Sequence, residues 1–144
     1  MKKKNWTPYI LIAVMAAGGF VLYSKISQDS GKSSATISEI TVPKLSVIGA
    51  EGRDLFNVNC SACHGEDGKG SEVGPPLIHD IYNPGHHADV AFYLAVANGV
   101  RQHHWPYGSM PPLTDVSKDQ AQKIIQYVRE TQEANGIIYK AHNM

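Results

Sequence analysis

Cys60-Ser61-Ala62-Cys63-His64 is the stretch from which the rest of this sequence is interpreted. It contains the only two cysteines of the chain, three positions apart, with a histidine directly after the second. C-x-x-C-H is the attachment motif for c-type haem. Within one helical turn, two thiols at this spacing can form thioethers with the vinyl groups on one side of a porphyrin, and the adjacent imidazole then lies under the iron. The motif therefore predicts one covalently bound haem c, held by Cys60 and Cys63, with His64 as an iron ligand.

Two other chemistries use paired cysteines, and both fit this sequence less well. A thioredoxin-like dithiol lies in a βαβ unit, and no such pattern surrounds these cysteines. A structural zinc site needs four ligands, usually in paired spacing, and the chain has neither a second C-x-x-C nor a following H-x3-5-H. The adjacent pairs His86-His87 and His103-His104 do not replace them, because neighbours in sequence rarely direct both rings at one metal. A second metal site built from both pairs is the less favoured interpretation.

A haem iron with one histidine ligand calls for a second axial ligand. Besides Met1, the methionines are Met15 in an apolar N-terminal run, Met144 at the last position, and Met110. Met110 lies in Gly108-Ser-Met-Pro-Pro112, where prolines on one side and a glycine on the other can project a thioether at a fixed distance. The alternative is a methionine that packs in the core. Met110 is the predicted second ligand of the iron.

Helical patterns predict one helix before and one helix after the cysteine motif. Residues 48–58 place Ile48, Leu55 and Phe56 on one helical face, with Gly52 allowing close approach of another element. Residues 89–98 form an apolar run that stops at a glycine, as helices often do.

A third helix is predicted near the C-terminus. Ser117 followed by Gln120 forms a capping box, and the helix is expected to end at Asn135-Gly136. Its apolar positions have a spacing of 3.6 residues: Ala121, Ile124, Ile125 and Val128. No segment has a confident strand pattern, and the sequence predicts an all-α domain.

Further motifs follow one another along the chain in a recognisable order. They are Gly52-x-x-Leu55-Phe56-x-x-x-Cys60-x-x-Cys63-His64-Gly65, Gly74-Pro75-x-Leu77, Gly108-x-Met110-Pro111 and a terminal helix with Tyr127. In these motifs the sequence resembles the class I monohaem cytochromes c, over roughly residues 47–136. The resemblance implies the class I cytochrome c fold, with a few helices around one haem and the helix of Phe56 crossing the last helix near Tyr127. It also implies an electron-transfer protein and no catalytic residues.

The resemblance assigns roles to individual residues of the cofactor site. The backbone carbonyl of Pro75 would accept the Nδ1–H of His64, which fixes the imidazole and raises its basicity. Leu77 would pack against the porphyrin, and Met110 would bind the iron on the face opposite His64. The chain departs from the family in its richness in histidine before Met110.

The N-terminal third predicts a membrane anchor. Residues 6–23 contain no charged residue, and as a helix they would extend about 27 Å, close to the bilayer hydrocarbon thickness of about 30 Å. The preceding lysines, Lys2–Lys4, place this end in the cytoplasm. A cleaved signal peptide is the alternative, although the apolar run continues past the small residues that could host a cut. The predicted organisation is a cytoplasmic N-terminus (1–5), a transmembrane anchor (6–23), a flexible linker (24–46), a cytochrome c domain (47–136) and a C-terminal tail (137–144).

The remaining histidines and the tryptophan near the predicted site are interpreted mainly as loop and packing residues. His103 and His104 are interpreted as polar loop residues, with a partner-docking surface at the haem edge as the alternative. Trp105 is expected to pack over the porphyrin or a neighbouring helix. The pair His86-His87 is interpreted as loop residues that precede a helix.

These features together predict an electron carrier on the periplasmic face of a bacterial inner membrane. From Val47 onward, seven Lys/Arg stand against eleven Asp/Glu, a net charge of −4, which gives no indication of nucleic acid as a partner. An iron with histidine and methionine ligands has no open position for a small-molecule substrate. The expected partners are therefore the membrane and a redox protein donor and acceptor, between which the chain shuttles. A fixed haem subunit of a membrane-associated dehydrogenase or oxidase is the alternative, and a gas sensor that releases Met110 is a third possibility.

Overall fold

The computed structural model describes residues 39–141. It contains four α-helices: α1 (Val47–Asn59), α2 (Ser61–His64), α3 (Asp89–Asn98) and α4 (Lys118–Ala134). Two short 3₁₀ helices cover Glu66–Gly68 and Asp80–Tyr82. Pairing of extended backbone within 39–141 is limited to an isolated antiparallel bridge between Val100 and Met110. The prediction of an all-α domain is confirmed for this part of the chain.

The predicted transmembrane segment, residues 6–23, lies outside the described residues. Among residues 39–141, no helix combines the length and the apolar character that crossing a bilayer requires.

Helices α1 and α4 cross closely and form the centre of the core. A Cβ added at Gly52 would lie 1.9 Å from the backbone oxygen of Lys123, so only glycine permits this approach. Beside this crossing, the rings of Phe56 and Tyr127 lie 5.4 Å apart between centroids. The predicted crossing of these helices is therefore confirmed. The buried hydrophobic side chains of the described region are Phe56, Ala121, Ile124, Ile125, Tyr127 and Val128.

The prediction about the face of α1 is confirmed for Phe56 and for the close approach at Gly52, but it is wrong for Ile48. Ile48 remains 52% exposed, whereas Gly49, Gly52 and Phe56 are the buried residues of this helix. Ile48 precedes Gly49 by one position, which turns its side chain by about 100° around the helix axis. The small glycines, rather than the large aliphatic residue, set the face that meets α4.

The folded unit also begins earlier than predicted. Residues 41–46 belong to the predicted linker, yet Val42 and Leu45 pack against the core. The backbone N–H of Thr41 donates to Oδ1 of Asn135 (3.0 Å), and Nδ2 of Asn135 donates to the carbonyl of Thr41 (2.8 Å). A polar composition does not reveal this docking, because the contacts depend on the end of α4, far away in sequence.

A buried hydroxyl joins α4 to the loop that follows the cysteine motif. Tyr127 donates to Oδ1 of Asp67 (2.7 Å), which also accepts from Nη2 of Arg53 (3.0 Å). Burial, followed by the hydrogen bond to the Asp67 carboxylate, raises the pKa of Tyr127 well above its ordinary value of 10.0.

This raised pKa predicts a specific loss of stability at alkaline pH. Above about pH 10 the unfolded chain loses the Tyr127 proton while the folded chain keeps it, so the free energy of unfolding falls by up to about 1.4 kcal/mol per pH unit. Tyr127→Phe removes this dependence. At pH 8, wild type should be more stable than Tyr127→Phe by about 1–3 kcal/mol, and the gap should narrow as the pH rises from 9 to 11.

Denaturant unfolding of the haem-loaded proteins at several pH values measures this gap. Tyr139→Phe is the matched control, since Tyr139 is 68% exposed and its substitution should not change the pH dependence. A stability difference between wild type and Tyr127→Phe that stays constant up to pH 11 would contradict the raised pKa of Tyr127.

Candidate haem site

The cysteine motif lies at the junction of α1 and α2. The Cys60 amide donates to the carbonyl of Phe56 (2.8 Å) and ends α1, while the Cys63 and His64 amides donate back to the Cys60 carbonyl (3.1 and 2.9 Å). One continuous turn therefore carries both cysteines and the histidine. The two thiols are not joined to each other. Cys63 is exposed, and burial raises the pKa of the Cys60 thiol to about 11.

The loop after the motif folds back onto His64. Nδ1 of His64 lies 2.9 Å from the backbone oxygen of Pro75, the contact that the resemblance implied. Gly74 makes this possible, because a Cβ at that position would lie 2.4 Å from the Cys63 carbonyl oxygen. Burial lowers the pKa of His64, and the bond to Pro75 opposes that shift. A neutral ring that donates from Nδ1 keeps the lone pair of Nε2 for a metal.

The two other predicted site residues occupy separate positions. Leu77 is half-buried and packs against the core of α1 and α4. Met110 is half-buried and pairs with Val100, with both N–H···O distances at 2.9 Å. Gly99 has φ of +73° and allows close passage, since a Cβ there would lie 2.4 Å from the Met110 carbonyl oxygen. The structure thus attaches Met110 to the end of α3, whereas the motif and Pro75 lie together at the end of α1.

The surroundings of α3 test whether a porphyrin fits. Eight of its ten residues are apolar, yet none is buried by the rest of the described chain. Val90 is 62% exposed and Leu94 is 54% exposed. A helix that is apolar on most sides is expected inside a protein rather than on its surface. A flat apolar group packed against α3 would cover these side chains, so the helix is suited to a buried porphyrin.

Trp105 supplies a second indication of fit. Its Nε1 is buried and no acceptor meets full hydrogen-bond geometry among the described residues, although the indole interacts with the Tyr82 hydroxyl, an interaction that opposes the rise of the Tyr82 pKa caused by burial. A buried N–H without a partner costs roughly 1–3 kcal/mol. The carboxylate of a haem propionate is an acceptor of the right kind, so the donor set agrees with a haem.

The structure brings together two histidine pairs that lie on different loops. A shared site for these pairs is the less favoured interpretation of the sequence, yet Nε2 of His86 lies 3.3 Å from Nε2 of His104. No local pattern could have revealed this, because the two residues belong to different loops.

Comparison with known proteins places this geometry in a family. The sequence profile of cytochrome c matches residues 49–132. A CcoP subunit of cbb3-type cytochrome c oxidase from Azospirillum sp. (strain B510) is 42% identical over 53 residues, 36% of this chain and 17% of that protein. A cytochrome c subunit of the cytochrome bc1 complex from Corynebacterium diphtheriae is 28% identical over 86 residues, 58% of this chain and 27% of that protein.

The likeness to these relatives is confined to part of each protein, since the chain spans less than a third of their length. No solved structure matches the sequence significantly. The family match covers more than half of the chain and includes its single C-x-x-C-H motif. The chain therefore belongs to the cytochrome c family, as a class I monohaem member whose family implies a covalently bound haem c and electron transfer rather than enzymatic catalysis.

Proposed function

We propose that the chain carries one electron at a time between redox proteins, through a haem held by Cys60 and Cys63 and ligated by His64 and Met110. The observation that carries this proposal is the 2.9 Å contact between Nδ1 of His64 and the carbonyl oxygen of Pro75. It orients the imidazole beside the two thiols, and it sets the tautomer in which Nε2 can bind iron.

The chain's own residues prepare the site for electron transfer. When bound, the haem supplies the one-electron redox couple. His64 holds its ligand nitrogen in place through Pro75, and the Met110 thioether would favour the reduced iron and raise the potential. The apolar side chains of α3 would keep water from the porphyrin, which acts in the same direction. With His64 and Met110 as ligands in both oxidation states, little rearrangement would accompany the transfer.

A tether to the periplasmic face of the inner membrane is part of the proposal. Its support is sequence-based: the uncharged run 6–23 after Lys2–Lys4. Because residues 41–46 dock onto α4, the free linker is shorter than its polar composition indicates. About 17 residues of coil would extend roughly 20–25 Å. A carrier held this close to the membrane meets membrane-bound donors and acceptors more often than a free one.

A fixed subunit of a respiratory complex is the second candidate. The observation that favours it is that the relatives are named as subunits of a cbb3-type oxidase and of a bc1 complex. The short matched length in each relative limits this support to the haem domain.

Native purification from membranes, without crosslinking, separates the two candidates. The shuttle should purify alone, show a c-type pyridine haemochrome spectrum, and titrate as one electron per chain in spectroelectrochemistry. Isolation of a stable stoichiometric complex would contradict the shuttle and support the second candidate, a fixed subunit. A purified chain without haem, or with no reversible one-electron wave, would overturn electron transfer itself.

A further inference from the structure

Two histidine pairs converge on one surface of the domain and form a histidine cluster of His86, His87, His103 and His104. Nε2 of His86 lies 3.3 Å from Nε2 of His104. One ligand nitrogen each of His86, His87 and His104 can be chosen such that all three lie within 4.8 Å of one another. The ring centroids of His103 and His104 are 4.2 Å apart, so the fourth imidazole adjoins the group.

The first pair is held by a turn built around the buried side chain of Asn83. The side-chain oxygen of Asn83 accepts from the amides of Gly85 (3.0 Å) and His86 (3.2 Å). The Asn83 carbonyl accepts from the amides of His86 (3.0 Å) and His87 (2.9 Å), and Asn83 is only 7% exposed. The guanidinium of Arg129 donates to the His87 carbonyl. Both histidine backbones are thereby fixed.

The second pair lies on the loop that leads to Met110. The bridge between Val100 and Met110 closes this loop, and the Gly108 amide donates to Oε1 of Gln102 (3.1 Å) across it. Nδ1 of His103 lies 2.8 Å from the Arg101 carbonyl oxygen. The second pair therefore lies on a loop whose two sides are joined by hydrogen bonds.

The imidazole of His87 is oriented as metal-binding histidines usually are. Its Nδ1 lies 2.8 Å from the backbone oxygen of Ile81, so Nδ1 is the donor and Nε2 keeps its lone pair. Such a bond to a carbonyl is the common partner of a histidine that binds metal. Burial, together with the neighbouring imidazoles, lowers the pKa of His87, which favours the neutral form that ligates. The nearby Arg129 charge is paired with Asp89, whose Oδ1 lies 2.8 Å from Nε.

The spacing of the nitrogens also suits a transition metal. Bonds of about 2.0–2.1 Å in a tetrahedral arrangement place two ligand nitrogens about 3.3–3.4 Å apart. The separation between His86 and His104 already has this value. The third nitrogen, within 4.8 Å, needs a small ring movement to close the site. Imidazole is a preferred ligand of zinc, copper and nickel.

We propose that His86, His87 and His104 bind one divalent transition-metal ion of the zinc or copper class, separate from the haem iron. Three protein nitrogens leave one position for water or for a fourth ligand. The ion joins the turn before α3 to the loop that carries Met110.

Calorimetric titration of the full-length, haem-loaded, EDTA-treated protein with Zn²⁺ tests this site. Haem attachment occupies the cysteine sulfurs, which removes them as competing ligands. Wild type should bind one equivalent, and His87→Gln and His104→Gln should each weaken binding at least about tenfold. Cu²⁺ should give an electron paramagnetic resonance spectrum with coupling to two or more imidazole nitrogens. Zn²⁺ should also raise the thermal midpoint of wild type but not of the triple Gln variant of His86, His87 and His104.

His79→Asn is the matched control. The His79 ring accepts from the Ile81 amide (3.2 Å), and asparagine keeps an acceptor at this helix-capping position, so Zn²⁺ affinity should be unchanged. The haem absorption spectrum of each variant reports that the domain is folded. Binding that survives in the triple variant, or no binding by folded wild type, would overturn the site.

Discussion

The Cys60→Ala/Cys63→Ala double variant is expected to contain no covalent haem and to fail to accumulate as a folded domain. Both thioethers are lost, so a haem could be retained only through iron ligands. The buried hydrophobic side chains of the described region belong to α1 and α4 alone, and without a haem the apolar side chains of α3 would stay uncovered, because none of its residues is buried by the rest of the described chain. Mass spectrometry of the denatured protein, expressed in a haem-competent host, should show the bare chain, and haem staining of a denaturing gel should be negative.

The single variants and a neighbouring substitution complete this test. Cys60→Ala and Cys63→Ala should each keep one thioether, with a shifted pyridine haemochrome spectrum. Ala62→Ser is the matched control, because residue 62 lies exposed within the same motif, and it should keep the mass of one haem. A double variant that still carries covalent haem would contradict the attachment.

The half-buried thiol of Cys60 indicates the stage of folding at which haem attachment would be favoured. With its pKa raised to about 11 by burial, Cys60 is protonated at neutral pH in the closed fold. Since the thiolate is the more reactive form, attachment is favoured while the chain is still open and the thiol is hydrated. A haem attached at that stage would become part of the core as the domain folds, which agrees with the apolar surface of α3.

The features that sequence predicted well are those set by neighbouring residues. The capping box of Ser117 and Gln120 is present at the start of α4, and α3 spans 89–98 as expected. Both depend on hydrogen bonds or apolar spacing within a few positions. The bond between His64 and Pro75 was implied by the family resemblance rather than by local pattern, and only a short glycine-rich loop separates the two residues.

The features that sequence missed depend on where distant segments meet. Docking of residues 41–46 requires the end of α4, and the meeting of His86 with His104 requires the path of two loops around α3. Neither hydrophobic periodicity nor residue type carries this information. The exposure of Ile48 has the same origin, since the glycines of α1 set the face that contacts α4.

Met110→Ala is expected to convert the iron to a site with one protein ligand while the fold is kept. Alanine retains the N–H and C=O that pair with Val100 at 2.9 Å, so the loop should stay closed. Without the thioether, the Met–iron charge-transfer band should vanish, and the reduced protein should bind carbon monoxide. The midpoint potential should fall by at least about 0.1 V, a modest part of the range of about 0.8 V that axial ligands cover.

A second methionine provides the control that distinguishes loss of an iron ligand from other effects of replacing methionine by alanine. Met144→Ala changes the same residue type at the last position of the chain, and it should leave the band, the potential and the resistance to carbon monoxide as in wild type. A band that persists in Met110→Ala, or that disappears in Met144→Ala, would move the second ligand away from Met110. The backbone hydrogen bonds between Met110 and Val100 hold this loop in place, so the loop cannot easily bring a replacement ligand to the iron. Loss of the band in Met110→Ala can therefore be attributed to loss of the thioether.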